Sequence, residues 1–172
     1  MVLYNIIVAH DNNNGIGKNN TIPWNLSEDL QRFAKLTKGN GNNAIIMGKN
    51  TWLSLPNKPL KDRDNLILSN KLNVEKNTPK NTYIKSYNSI KELEAYCENQ
   101  KYDEIWIIGG SQIYKTFINS KKINQIYITK INENYNCDTF FPSISDLKII
   151  EQEDKVINNT KISYIVYKKI DF

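Results

Sequence analysis

Asp29 is the acidic residue of this chain that is best placed for proton chemistry. It follows the apolar segment 22–24 and lies in the first turn of a helix that the pattern predicts over Ser27–Thr37, with Ser27 as the N-cap. Phe33 comes four residues later on the same helical face, and Leu30 is adjacent to that face. A carboxyl group among such side chains can lie in an apolar cleft, where burial raises its pKa. In the alternative interpretation, Asp29 only complements the helix dipole.

Two strand–glycine–helix segments could bind phosphate groups. In the first, the apolar run 45–47 ends at Gly48 and a helix follows at once; in the second, the run 105–108 ends at Gly109-Gly110 and a helix begins at Ser111. Helix N-termini present unpaired N–H groups and the positive end of the helix dipole, which suit phosphate. Two such turns in one chain favour a pyrophosphate held between them. Neither is a GxGxxG motif, and tight turns needed only for packing are the alternative.

The loop over residues 10–25 is long and contains Gly15 and Gly17, which is typical of a functional lid. His10 is the only histidine, so a multi-His metal centre is excluded and we expect no metal. We interpret His10 as a strand-end residue bonded by the neighbouring loop, in preference to a proton-transfer group. Cys97 and Cys137 have no second metal-type ligand nearby and are expected to be free thiols.

Length and composition indicate one domain over residues 1–172. The chain is 40% hydrophobic, with a net charge of +5 and a pI near 9.0, which favours anionic ligands. The cations are scattered and form no nucleic-acid-binding motif. No apolar run approaches the roughly 20 residues that span a bilayer, and the first residues lack the basic region of a signal peptide. We therefore expect a cytoplasmic protein with no membrane contact.

Apolar runs alternate with helix-like segments, which predicts an α/β fold with a largely parallel sheet covered on both faces. The predicted strands are Leu3–Ala9, Asn43–Met47, Asn65–Ser69, Thr82–Lys85, Glu104–Ile108 and Gln125–Ile131. The predicted helices are Ser27–Thr37, Asn50–Leu55, Ser89–Glu98 and Ser111–Asn119. Two further strands, Leu147–Val156 and Lys161–Ile170, flank a turn at Asn158-Asn159-Thr160 and predict an antiparallel hairpin at the end of the chain.

Several motifs occur in a defined order from Leu3 to the closing hairpin. They are Gly15-Ile16-Gly17, Ile22-Pro23-Trp24-Asn25-Leu26 with Asp29, Met47-Gly48-Lys49-x-Thr51-Trp52, Ser54-Leu55-Pro56 with Lys58-Pro59-Leu60 and Arg63, Asn65–Ser69, Ile108-Gly109-Gly110, and Cys137-Asp138-Thr139-Phe140-Phe141-Pro142. In this order and spacing, the chain resembles the dihydrofolate reductase family. The resemblance implies a single domain with a central, mixed, mostly parallel eight-stranded sheet, about four flanking helices and an antiparallel C-terminal hairpin.

The resemblance also implies catalytic and substrate-binding roles. Asp29 would bond the pteridine and promote protonation at its N5, helped by Thr129 and by a water near Trp24. The backbone carbonyls of Ile7 and Ile108 would complete the pteridine and nicotinamide pocket. Arg63 would bind the α-carboxylate of the glutamate tail, for which a guanidinium fork is chemically suited. The side chains that would pack on the aminobenzoyl ring are Leu30, Phe33 and Leu55.

The implied cofactor is NADPH. Its nicotinamide half would contact Ala9, Ile16 and Thr51, and its pyrophosphate would lie along Gly110, Ser111, Gln112 and Ile113, after a cis Gly109-Gly110 peptide. The other implied cofactor-binding residues are Gly17, Gly48, Asn50, Leu68, Ser69, Asn70, Gly109 and Tyr114. Lys49 would meet the 2′-phosphate, where many relatives have Arg, and Gln112 replaces a cation that some relatives carry. In the family, Asp138 would bond backbone amides near Gly17 when the loop is closed.

The implied activity is NADPH-dependent reduction of 7,8-dihydrofolate to 5,6,7,8-tetrahydrofolate, which supplies one-carbon and thymidylate metabolism. The implied partners are dihydrofolate and antifolate inhibitors, with no nucleic acid required, and we expect a monomer. One alternative is a pyrimidine reductase of riboflavin synthesis on the same fold, which the combination of Trp24, Asp29 and Arg63 argues against. Another is a non-catalytic basic binding protein, which the fold alone would permit.

Overall fold

The structure is a computed structural model that describes residues 2–78 and 82–170. Its strands are β1 (Tyr4–His10), β2 (Gly15–Gly17), β3 (Asn43–Gly48), β4 (Arg63–Leu68), β5 (Glu75–Asn77), β6 (Tyr83–Tyr87), β7 (Ile105–Gly109), β8 (Ile123–Ile131), β9 (Thr139–Phe140), β10 (Leu147–Ile157) and β11 (Thr160–Lys169). Its helices are α1 (Ser27–Lys38), α2 (Lys49–Ser54), α3 (Ile90–Asn99) and α4 (Ser111–Ile118). None of the helices in these ranges is both long and apolar enough to cross a membrane.

Nine of the described strands form one mixed sheet in the order β10-β11-β8-β1-β7-β3-β4-β6-β5. The six strands from β8 to β6 are parallel, and β11 and β5 pair antiparallel at either side. The predicted α/β class and antiparallel hairpin are confirmed, but the sheet has nine strands and not eight. One strand that the pattern did not predict is β5, because its three residues are all exposed and show no apolar alternation.

The central strands of the sheet are buried on both faces, as their near-continuous apolar sequences require, whereas β5 and β10 at its edges are exposed. Helices α1 and α2 cover one face, where Phe33, Leu36 and Trp52 pack on Ile45 and Trp106. Helices α3 and α4 cover the other face, in a cluster that includes Leu93, Cys97, Ile113, Tyr114 and Phe117. The alternation of side chains along each strand therefore decides which residues face α1 and which face α4.

The start of α1 corrects one prediction. Ser27 is the first residue of the helix and not its N-cap; Leu26 has the N-cap position, without a side-chain cap hydrogen bond. Leu26 is buried against Ile131 and Ile162, so packing of an apolar residue positions the helix start where a polar cap was expected. In α3, by contrast, the side chain of Ser89 does accept a hydrogen bond from the Glu92 amide.

The closing hairpin turns through Asn158 and Asn159, which both have positive φ angles. Ile157 pairs directly with Thr160, so Thr160 belongs to β11 and the turn has two residues. Asparagine tolerates this left-handed conformation, and two consecutive residues with positive φ are what a tight type I′ hairpin requires.

Candidate functional site

A cleft is expected where strands β1 and β7 separate. Their ladder runs from Tyr4↔Ile105 to Ile6↔Ile107, whereas β1 continues alongside β8 as far as His10. From β1 the chain passes through α1 to one side of the sheet, and from β7 it passes through α4, on the opposite face, to the other side. In α/β sheets, ligands bind at the carboxyl ends of strands at such a switch point. Ile7 and Ile108 lie just beyond the last paired residues.

Asp29 reaches this switch point from the first turn of α1. The hydroxyl group of Thr129, on β8, donates a hydrogen bond of 2.7 Å to Asp29 Oδ1. Thr129 lies beside Ala9 on one side and opposite Tyr164 on the other. Burial raises the pKa of Asp29, and the hydrogen bond from Thr129 and the charge of Arg32 only partly offset this effect. The carboxyl group can therefore hold a proton at a higher pH than an exposed aspartate.

Apolar side chains remain uncovered around this carboxyl group. Leu30, next to it on α1, is 59% exposed, and Ile22, in the preceding loop, is 63% exposed. Phe33 and Leu55 are half-buried and pack on the sheet beneath. Trp24 packs edge-to-face on Tyr135, with 5.3 Å between ring centroids. Exposed apolar side chains on two adjoining segments of the chain are typical of a surface that a ligand covers.

Arg63 is a buried cation at the start of β4, only 5% exposed. Its Nε donates to the carbonyl of Lys61 at 2.8 Å, and its Nη1 donates to the hydroxyl of Thr37 at 3.0 Å. Thr37 lies two turns after Asp29, near the end of α1. Within residues 2–78 and 82–170, Arg63 forms no ion pair. A buried guanidinium with unused N–H donors is suited to a carboxylate ligand.

The two strand–glycine–helix turns lie side by side, because β3 and β7 are parallel neighbours with Met47 opposite Gly109. A Cβ added to Gly48 would stand 3.0 Å from Ile113 Cγ1, and one added to Gly110 would stand 3.6 Å from Thr51 Oγ1. The Gly109-Gly110 peptide is cis, and Gly109 has a φ of +116°, which L side chains rarely adopt. The glycines therefore bring the backbone of both turns close together, with the helix starts of α2 and α4 at the same edge.

The other residues expected at the cofactor site lie at or just after the carboxyl ends of neighbouring strands. Gly48 is opposite Leu68, so Lys49 and Asn50 follow β3 at the edge where Ser69 and Asn70 follow β4. Ser111 donates from its hydroxyl to the Phe140 carbonyl, and Gln112 is exposed on α4. The hydroxyl group of Tyr114 donates a 2.8 Å hydrogen bond to the Ile7 carbonyl, which connects α4 to the switch point.

The loop after β1 is attached at its middle to the segment before β10. Gly15 and Gly17 of β2 pair with Phe140 and Thr139 of β9. Asp138 donates from its amide to the Gly17 carbonyl and accepts at Oδ2 from the Asn19 amide, both at 3.0 Å. These contacts hold Ile16 and Gly17 in place. The predicted strand-end environment of His10 is confirmed, since its Nδ1 lies 2.8 Å from the Asp11 carbonyl.

Sequence reasoning missed two residues of this region. Ile22 was noted only as part of a motif, although an apolar residue within a polar loop was a usable signal. Asp11 is fully buried and accepts hydrogen bonds from the amides of Asn13, Gly15 and Tyr135. Its position among the asparagines at 12–14 gave no signal, because such residues are equally common in solvated loops.

Comparisons with known proteins agree with this geometry. The family model described as "Dihydrofolate reductase" matches residues 3–169. The chain is 40% identical to the viral dihydrofolate reductase of Saimiriine herpesvirus 2 (strain 488), over 99% of this chain and 86% of that protein. It is 34% identical to the dihydrofolate reductase of Heliothis virescens over 98% of both proteins. With the dihydrofolate reductase of Bos taurus it shares 39% identity, over 81% of this chain and 79% of that protein.

Proposed function

Because the chain belongs to the dihydrofolate reductase family of oxidoreductases, we propose that it reduces 7,8-dihydrofolate to 5,6,7,8-tetrahydrofolate with NADPH. The observation that carries this proposal is the Asp29 carboxyl group, which is hydrogen-bonded to Thr129 at the switch point of the sheet and whose pKa is raised by burial. In this account, the product supplies one-carbon and thymidylate metabolism, and antifolates compete for the same cleft.

Two ionisable groups, one on α1 and one on β4, match the two ends of the substrate. Asp29 has one oxygen bonded to Thr129, and its second oxygen can accept from the amino group and ring nitrogen of a pteridine. The buried Arg63 can bind the glutamate α-carboxylate through its unused N–H donors. The aminobenzoyl ring would lie between Asp29 and Arg63, where it would be covered by Leu30, Phe33 and Leu55. A pyrimidine substrate of riboflavin synthesis would leave Arg63 without an anion, so that alternative is disfavoured.

The role of Asp29 in this proposal is to promote protonation of N5 of the pteridine. Hydride addition to C6 of the C6=N5 double bond moves an electron pair onto N5. A proton must therefore reach N5 before or during hydride transfer. Burial raises the pKa of Asp29, which keeps a larger fraction of the carboxyl group protonated near neutral pH. Thr129 fixes the orientation of this group, and Trp24 would position a water between the carboxyl group and the ring.

The described residues fit NADPH as the hydride donor. Gly48 and Gly110 line a cradle that a Cβ would narrow, beside Thr51 and Ile113. The N–H groups at the start of α4 suit its pyrophosphate, and Lys49 suits its 2′-phosphate as a point charge. Ala9, Ile16 and Tyr114 would exclude water from its nicotinamide. The bound cofactor would supply the hydride, while the chain supplies orientation and a dry cleft. All these residues belong to one chain, and we propose that a monomer is the catalytic unit.

The test is a spectrophotometric assay of the purified protein with NADPH, with and without dihydrofolate. We expect loss of the reduced-nicotinamide absorbance only when dihydrofolate is present, with tetrahydrofolate formed in equal amount. Inhibition by a 2,4-diaminopyrimidine antifolate would be the matched control for background oxidation. A properly folded protein without dihydrofolate-dependent oxidation would contradict the proposal and favour a non-catalytic binding role.

A further inference from the structure

A cavity of about 360 Å³ lies on the face of the sheet opposite Asp29. His10 and Lys130 pair across β1 and β8 and line it, whereas their neighbour Thr129 points to the other face. The segment 141–147 closes one wall of the cavity. Its volume is within the range of small-molecule sites, at the lower end. The cavity is therefore separate from the cleft described above.

His10, which lines this cavity, has an unused hydrogen-bond acceptor. The side chain is only 7% exposed, and its Nδ1 is 2.8 Å from the Asp11 carbonyl. Because a carbonyl can only accept, Nδ1 carries the proton and Nε2 keeps its lone pair. Burial lowers the pKa of His10 and, with the charge of Lys130, outweighs the opposing effect of the hydrogen bond to Asp11, so the ring is neutral near pH 7. No residue of the described chain donates a hydrogen bond to Nε2.

The remaining walls combine an apolar surface with one accessible cation. Ile128, Phe141 and Ile165 are buried and form the apolar part of the lining. Lys130 is exposed and supplies a positive charge at the rim. Asp146 also lines the cavity, and its carboxylate accepts from the hydroxyl of Ser145 at 3.4 Å. A ligand that satisfies these walls needs a flat apolar body, a donor for His10 and an anion for Lys130.

We propose that this cavity is a second ligand site, which binds a single-ring aromatic acid. Its ring lies against Phe141 and Ile165, its hydroxyl group donates to Nε2 of His10, and its carboxylate meets Lys130. The site adjoins the loop of the catalytic face, because the Phe141 amide donates a 2.8 Å hydrogen bond to the Asn14 carbonyl and both residues line the cavity. An occupant thus contacts both segments that hold β2 against β9.

The probe is 4-hydroxybenzoate, followed by backbone amide chemical shifts of the isotope-labelled protein. We expect saturable shifts at Asn14, Phe141 and Tyr167, with a dissociation constant of about 1–10 mM for a ligand of this size. Benzoate, which lacks the donor, should bind about three- to tenfold more weakly. Absence of saturable shifts, or shifts confined to Asp29 and Arg63, would overturn the proposal. So would tighter binding of 4-hydroxybenzylamine, since it would make Asp146 and not Lys130 the charged partner.

Two variants separate the contributions of the two polar groups. His10→Val removes the acceptor and keeps an apolar strand residue, so 4-hydroxybenzoate and benzoate should then bind equally well. Lys130→Ala should weaken both acids about threefold or more, because the pair with Lys130 is partly exposed. Lys121→Ala is the matched control, because Lys121 is an exposed lysine outside the cavity. This variant should leave the dissociation constants of both acids unchanged. A preference for the hydroxylated acid that survives in His10→Val would contradict the proposed geometry.

Discussion

At the scale of single residues, Arg63 is a buried cation that forms no ion pair within the described part of the chain. Its guanidinium is oriented by Thr37 and by the Lys61 carbonyl, which are both neutral acceptors. Such an arrangement fixes the direction of the remaining N–H donors before any ligand binds. The orientation of a buried cation by neutral groups is therefore what most directly supports a carboxylate-binding role for Arg63.

Arg63→Leu should raise the KM for dihydrofolate by about ten- to a hundredfold, since a hydrogen bond to a charged group contributes about 1.5–3 kcal/mol. The KM for a dihydropterin without the glutamate tail should change far less. Steady-state kinetics with both substrates make the comparison, and Lys38→Ala is the control, a nearby lysine that pairs with the exposed Asp62. Equal losses with both substrates would indicate a structural defect and remove the assignment.

Lys49 tests the cofactor site at the same scale. Lys49→Ala should weaken the use of NADPH by about ten- to a hundredfold and scarcely affect NADH, because only NADPH carries the 2′-phosphate. The measurement is kcat/KM for each cofactor. Lys115→Ala, an exposed lysine in the last turn of α4, is the matched control. If kcat/KM falls equally with NADPH and NADH, Lys49 is only a surface residue.

At the scale of elements, two carboxylates hold the loop after β1 in different ways. Asp11 is fully buried within the loop, and Asp138 is exposed in the segment before β9. Burial by itself raises the pKa of Asp11, but hydrogen bonds from the amides of Tyr135, Gly15 and Asn13 outweigh it and lower the pKa below its ordinary value. Asp11 therefore contributes stability above the ordinary pKa of aspartate, and that contribution is lost as the pH falls through the lowered pKa.

Asp11→Asn should destabilise the whole protein, because the amide group of asparagine would face the Tyr135 amide with a donor where an acceptor is needed. Leaving one buried amide unpaired costs about 1–3 kcal/mol, which corresponds to a Tm lower by about 2–12 °C for a chain of this size. Thermal unfolding at neutral pH measures this difference in Tm. The difference from the wild type should shrink in acid, as Asp11 becomes protonated; a constant difference would contradict the account.

Asp138→Ala should act on the loop without changing global stability. It removes the acceptor of the Asn19 amide, so the loop would close less often over the cofactor. We expect about tenfold slower hydride transfer in single-turnover experiments, weaker NADPH binding and a nearly unchanged Tm. Asp154→Ala is the control, an exposed aspartate with comparable hydrogen bonds in the hairpin. Single-turnover rates equal to those of the wild type would exclude this coupling.

At the scale of the whole molecule, the sequence predicts what depends on apolar periodicity. The central strands, the four helices and the closing hairpin were predicted from apolar runs, because the periodicity of a run indicates which of its side chains are buried. The short strands β2, β5 and β9 were not predicted. Strands β2 and β9 depend on each other although they lie far apart in the chain, and β5, which pairs with the nearby β6, is too short and too exposed to show an apolar pattern. The start of α1 was also missed in detail, since Leu26 is fixed by Ile131 and Ile162, which lie more than a hundred residues away.

The candidate site shows the same division. Asp29, Thr129 and Arg63 could be named from the resemblance, which also grouped Thr129 with Asp29. The hydrogen bond that orients Arg63 could not be predicted, because Thr37 is supplied by another element. Asp11 and the cavity at His10 were outside the reach of the sequence for the same reason. The cavity is assembled from β1, β8, β11 and the segment 141–147, and the surroundings of Asp11 from its own loop and the distant Tyr135. Individual functional residues can thus be predicted from the sequence, whereas their environments can be described only from the assembled fold.

The central claim is that Asp29 promotes protonation of the substrate, and the pH dependence of Asp29→Asn tests it most directly. Asparagine has nearly the same shape and can hydrogen-bond the pteridine, but it cannot hold an exchangeable acidic proton. For the wild type, in which burial raises the pKa of Asp29, the rate should fall as the pH rises through that pKa and Asp29 loses its proton. For Asp29→Asn, the hydride-transfer rate at neutral pH should be about a hundred- to ten-thousandfold lower.

The measurement is the single-turnover rate of Asp29→Asn across pH, beside the wild type and the control Glu28→Gln, whose exposed carboxylate pairs with Lys155. The rate of Asp29→Asn should recover as the pH falls, because solvent can then protonate the substrate directly, while Glu28→Gln should follow the wild type. A fully active Asp29→Asn enzyme with an unchanged pH profile would contradict the mechanism and leave Asp29 as a residue that only complements the dipole of α1.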